Sequence, residues 1–134
     1  MKKSLPIWLT IIIIIETVPM FVGPLLALLS PDSFPGFKQL PDPRFVVWLY
    51  TARNLAVGIA LLVAFALKNR SMLFILILIR LITDLHDLPN MLFGRSSSNP
   101  ALLIAIFVLF YYLPAVYALR YLWKDIKGNE NRRS

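Results

Sequence analysis

Between Ser71 and Pro89 a long apolar run carries three charged residues, Arg80, Asp84 and Asp87. They fall at i, i+4 and i+7, so a helix over this stretch sets them along one face. A charge near the centre of a bilayer costs several kcal/mol unless it is paired or faces water, and ionisable residues at that depth are functional candidates by default. This run therefore limits the chain to folds in which one charged helix face is turned inward, against partners or a polar cavity.

The rest of the chain supplies the partners. Three further apolar segments predict helices, giving spans of about 5–29, 45–67, 71–89 and 101–123 with a basic tail over 124–134. With 58% hydrophobic and 16% charged residues, 134 residues would expose too much apolar surface as a soluble domain. The reading is all-α: a four-helix transmembrane bundle in a single domain. Lys2 and Lys3 before the run Ile11–Ile15 resemble the start of a signal peptide, but the apolar stretch is too long and Glu16 interrupts it. A retained first helix is expected, bent by Pro19 and Pro24, with Gly23 admitting a close neighbour. Four prolines and a glycine make 30–44 a loop, its Phe34 and Phe37 available to anchor at the interface or to cover the helix ends. Gly94 to Pro100 is a second polar loop, and Lys68-Asn69-Arg70 a short turn joining helices two and three as an antiparallel hairpin.

The net charge of +7 would suit nucleic acid if it were clustered on one surface. Instead the basic residues flank the apolar segments, where they serve topology and anionic headgroups. Lys2, Lys3, Lys68, Arg70, Lys124, Lys127, Arg132 and Arg133 fall on one side, against Lys38, Arg44 and Arg95 on the other. The positive-inside rule then places both termini in the cytoplasm, N-in/C-in. The absence of cysteine excludes disulfides and thiolate chemistry, and one histidine makes no metal site.

At roughly 1.5 Å per helical residue, Glu16, Arg53 and Asp84 fall roughly 16, 18 and 19 Å from the inner boundary. Arg80 and Asp87 lie a turn to either side of Asp84, with Tyr111 and Tyr112 close to Arg80 in depth. Tyr117 also lies deep, while Tyr121 and Trp123 suit the headgroup belt. On helix two, Tyr50, Arg53, Asn54, Val57, Gly58 and Leu61 form a stripe of polar and small residues of the kind that meets partner helices. Four helices thus bring Glu16, Arg53, Asn54, Arg80, Asp84, Asp87 and tyrosine hydroxyls toward one layer. Three acids against two arginines leave one carboxyl in surplus, so a paired carboxylate beside a neutral acid is expected, with Glu16 as the neutral one. An Arg53–Asp84 pair is expected either to lock helices or to build a pocket. His86, two residues from Asp84, is expected to point elsewhere.

The segment Ala52-Arg53-Asn54-Leu55-Ala56-Val57-Gly58-Ile59-Ala60-Leu61-Leu62, with Asp84 in helix three, resembles the DoxX-like family of small four-helix integral membrane proteins. There an Arg followed by an acid or amide and Leu-Ala-x-Gly-x-x-Leu-Leu opens the second helix, and an Asp lies in the third. The resemblance implies the same four-helix fold, with Arg53, Asn54, Gly58 and Asp84 as its polar core. It also implies a link to membrane oxidoreductase systems and quinone, although the first helix departs from that branch in carrying Glu16.

Three functions fit these residues. The first is a midplane pocket for a quinone-, sterol- or isoprenoid-like molecule, alone or within a membrane complex. Arg53, Asn54, Arg80, Tyr111, Tyr112 and Tyr117 would bind it. The second is an acid–base enzyme (isomerase, cyclase or epoxide hydrolase) using Asp84, Glu16 and Asp87 on such a substrate. The third is a structural or chaperone-like membrane partner. No cofactor and no nucleic acid is implied; the expected partners are the lipid bilayer, a lipophilic small molecule and a homo-oligomer or membrane complex. The setting expected is a bacterial inner membrane.

Overall fold

The computed structural model describes residues 5–30, 43–93 and 99–131. Those residues form four helical rods and no strand. Helix α1 spans Ile7–Leu29, α2 spans Pro43–Ala66 and α3 spans Arg70–Phe93. The fourth rod is built from α4 (Pro100–Phe107), a π-helical turn (Val108–Tyr112) and α5 (Leu113–Glu130). Phe34 and Phe37, and most of the second polar loop, lie outside the described residues.

Three rods are long and apolar enough to cross a membrane: Ile7–Leu29, Arg44–Ala66 and Pro100–Asn129, with mean hydropathy 2.3, 1.7 and 2.3. The β-branched run Ile11–Ile15 is a modest helix former in water. In hydrocarbon every backbone N–H and C=O must be satisfied within the segment, and that requirement outweighs the propensity. Ile11, Ile14, Ile15, Val18, Val22, Leu25 and Leu26 of α1 are exposed, as are Ile75, Leu78, Ile79 and Ile82 of α3. Apolar surface on this scale matches lipid as the surrounding medium.

Local chemistry sets the hairpin between α2 and α3. Lys68 adopts a positive φ of 51°. Its N–H donates to the Phe65 carbonyl at 3.0 Å and the Asn69 N–H to that of Ala64 at 3.0 Å, a Schellman closure of α2. Asn69 then starts α3, its Oδ1 accepting from the Met72 N–H at 3.2 Å. The short turn is as expected; two helix ends are not. Helix α3 continues through Pro89 to Phe93, and α5 continues through most of the segment read as tail, to Glu130. An Arg70–Asp125 ion pair ties α5 to the start of α3, and Asn129 Nδ2 donates to Asp125 one turn back at 3.3 Å. The Lys127 ammonium lies 4.9 Å from the centre of the Trp123 ring. These contacts carry the helix beyond its apolar stretch.

Helices α1 and α2 make the closest seam. A Cβ added at Gly58 would stand 3.1 Å from Phe21 Cε2 and 3.2 Å from Met20 Cβ, so the bare glycine allows the approach. The buried residues of α2 are Val47, Thr51, Asn54, Gly58, Leu61 and Ala64, whereas Arg53 lies on the flank beside them. The apolar core gathers Leu9, Ile13 and Met20 of α1, Leu61 and Ala64 of α2, Leu73 and Ile77 of α3, and Ala115, Ala118 and Leu122 of α5. Apart from Met20, these lie toward the end of the bundle that holds the N-terminus. Among the described residues the opposite end is more open, since no Cα of α1 comes within 8 Å of α4.

Candidate functional site

Where the packed half of the bundle gives way to the open half, the ionisable residues meet. Arg80 is at their centre and is only 8% exposed. Its Nη1 donates to Asp84 Oδ1 at 2.8 Å, one turn along α3, and its Nε stands 3.8 Å from Glu16 Oε2 on α1. The second separation exceeds a hydrogen bond, and neither Glu16 oxygen has a hydrogen-bond partner among the described residues. Glu16 and Asp84 are 1% and 3% exposed. The cluster is thus a guanidinium between two buried carboxyl groups.

Arg53 does not reach Asp84. Its Nη2 donates to Asp87 Oδ2 at 2.7 Å, and the Arg53 side chain is 43% exposed. The i+4 spacing from Arg80 has already committed Asp84, and Arg53 emerges from the flank of α2, so it meets the acid one turn nearer the helix end. The distinction bears on function. Arg80–Asp84 lies within one helix and holds no two helices together, whereas Arg53–Asp87 joins α2 to α3. Asn54 is buried and its Nδ2 donates to the Tyr50 carbonyl at 2.8 Å, which leaves its side-chain oxygen as an acceptor.

The fourth rod contributes through its π-helical turn. Pro114 has no N–H to offer the carbonyl four residues back, and the Leu113 N–H bonds instead to Val108, five residues back. That wider turn lies where Tyr111 and Tyr112 leave the rod. The Tyr112 hydroxyl donates to the Asp84 carbonyl at 3.0 Å, binding the fourth rod to the charged helix. Tyr111 lines the cavity, its ring 5.4 Å from that of Phe107. Tyr117 belongs elsewhere: it is 62% exposed and packs edge-on against Trp8 at 5.0 Å, on the other side of the π turn. At about 3.6 residues per turn even a regular helix sets Tyr117 well round from Tyr111 and Tyr112, so the three do not share a face.

Around these groups lies a cleft of about 380 Å³. Arg80, Asp84 and Asp87 of α3 form its polar side with Tyr50 and Asn54 of α2. Val18, Val22 and Leu26 of α1 and Phe107 of α4 form apolar walls. Glu16 is not part of the lining; it stands behind Arg80. Tyr50 is the lining group that sequence reasoning did not single out for binding. Gly23 makes room for it, since a Cβ there would stand 2.7 Å from the Tyr50 hydroxyl. Tyr50 stood on the recognised α2 stripe one turn before Asn54, but its match to a glycine on another helix is a tertiary fact. His86 is exposed and its Nδ1 donates to the Ile82 carbonyl at 2.9 Å, away from the cleft as expected. Among the described residues no three His, Asp or Glu side chains converge to hold a metal ion.

No family model, curated protein or solved structure matches the chain.

Proposed function

We propose that this chain is a small integral membrane protein, DoxX-like in architecture, whose cleft binds a lipophilic molecule with a polar head. The observation that carries this is the two-sided lining: apolar walls from α1 and α4 facing Arg80, Asp84, Asn54 and Tyr50 across one opening. Ligand sites of this kind combine mostly apolar walls with a few placed polar groups that fix orientation. Quinone-, sterol- and isoprenoid-like molecules have the matching polarity. The excess of basic residues flanking one end argues for both termini on the cytoplasmic side, as in a bacterial inner membrane protein.

A second reading is acid–base catalysis on such a molecule, and Glu16 favours it. A carboxyl with no hydrogen bond to either oxygen, beside a buried Arg–Asp pair, is an expensive way to hold helices together. In that reading Asp84 and Asp87 face the substrate, Tyr111 offers a hydroxyl, and Glu16 acts through Arg80.

The test is mass spectrometry of the lipophilic extract from purified protein, wild type beside Asp84→Asn and Asn54→Leu. A discrete compound retained by wild type and depleted in both variants is the expected result. The same mixed lipid in all three preparations, with the variants less stable, would reduce the cluster to a structural device.

A further inference from the structure

Among the described residues the cleft is open on one side. Helix α1 stays with α2 along its length and touches the fourth rod at α5 and the π turn, through Trp8, Tyr117 and Tyr121 among others. Beyond the π turn the two separate, and no Cα of α1 comes within 8 Å of α4. The residues flanking that separation, Val18, Val22 and Leu26, are apolar and half exposed, at 51%, 46% and 52%. They belong to a helix long and apolar enough to cross a membrane, so the medium they face is acyl chain. The polar side of the cleft lies behind them.

The charges that line the cleft are paired, and the surplus carboxyl, Glu16, is not part of the lining. Arg80 is bonded to Asp84 and Asp87 to Arg53. A further unpaired charge brought against two neutralised pairs in a low-dielectric site gains little attraction and loses its hydration. An uncharged head able to accept or donate hydrogen bonds meets a better surface in the Tyr111 hydroxyl and the Asn54 side-chain oxygen.

We infer that the ligand enters sideways from the bilayer through the gap between α1 and α4, and that it is a chain-bearing lipid with an uncharged hydroxyl or carbonyl head. The head lies against Tyr50, Asn54 and Tyr111 while the chain stays between Val22 and Phe107, partly in the membrane. This deepens the binding reading above and rests on it.

The chain has no cysteine, so a gate is simple to build. Backbones this far apart exceed the reach of a disulfide. Val22→Cys with Phe107→Cys is therefore bridged by a bifunctional thiosulfonate with a flexible spacer and reopened with reductant. The probes are three diazirine lipids of equal chain length, an alcohol, a carboxylate and an amine, offered in liposomes. The alcohol is expected to label cleft residues in the open protein, and bridging is expected to slow labelling by about tenfold or more, a barrier of about 1.4 kcal/mol. Val22→Trp, which narrows the gap from an exposed position, is expected to slow labelling in the same direction without cross-linking. Labelling of the cleft that is indifferent to both the bridge and Val22→Trp would overturn sideways entry while leaving the binding cleft standing. An amine or carboxylate that labels as well as the alcohol would overturn the uncharged head. No cleft labelling by any probe, together with no compound retained in the purified protein, would remove the binding reading and this inference with it.

Discussion

Arg80 has more asked of it than any other side chain in the molecule. It holds Asp84 by a 2.8 Å bond, stands 3.8 Å from Glu16, and keeps both buried acids beside a positive charge. Removing one partner of a buried charge cluster leaves the others uncompensated, a loss of about 3–5 kcal/mol. Arg80→Gln is therefore expected to lower stability sharply in denaturant titrations followed by circular dichroism in detergent. Arg53→Gln is expected to cost clearly less, because Arg53 is 43% exposed and its partner lies near the helix end. Equal losses would mean that burial does not set Arg80 apart from Arg53. Gly23→Ala separates binding from folding. Its methyl would meet the Tyr50 hydroxyl at 2.7 Å, the end of a side chain that can swing aside. The expected outcome is near-normal stability with reduced retention of the lipophilic compound; unchanged retention would take Tyr50 out of the site. At this scale the acids, arginines and Asn54 were legible as a group from their shared depth. Their partners were not, because a side chain's choice among acids one turn apart depends on the rotation of each helix about its own axis.

The elements show the same division. Rods one and two follow from apolar length, rod three from an apolar run with one charged face, and the α2–α3 turn from three polar residues that close one helix and start the next. The fourth rod is less transparent. Pro114 displaces the hydrogen-bond ladder into a π turn, from which Tyr112 reaches the Asp84 carbonyl, while Tyr117, further round the rod, packs on Trp8. Pro114→Ala restores the missing N–H and is expected to regularise the turn. Helix content by circular dichroism should be retained, and retention of the lipophilic compound should fall as Tyr112 loses the Asp84 carbonyl. Full retention would show that the turn does not position the site. On the α1–α2 seam, Gly58→Leu places a large side chain against Met20 and Phe21, an overpacking cost of about 1–3 kcal/mol that thermal unfolding in detergent will read.

For the whole molecule, the arrangement is a bundle packed at one end and parted at the other. If both termini are cytoplasmic, the parted end and its cleft face the outer half of the membrane. Single cysteines in this cysteine-free chain test that directly. With an impermeant maleimide on intact cells, Ser97→Cys is expected to label and Lys127→Cys to be protected; the reverse pattern would invert the protein and its cleft. The amino-acid order alone was enough for the number of rods, their apolar faces and the gathering of charge at one depth. Each is dictated by hydrocarbon, which forbids open backbone polar groups and lone charges wherever the helices sit. Only the tertiary structure decided that Arg80 takes Asp84, that Arg53 takes Asp87, and that α1 parts from α4 to open a cleft. Those outcomes depend on helix rotation and splay, set jointly by the Gly58 seam, the π turn and the packing of α3 against α5, and no single segment contains them.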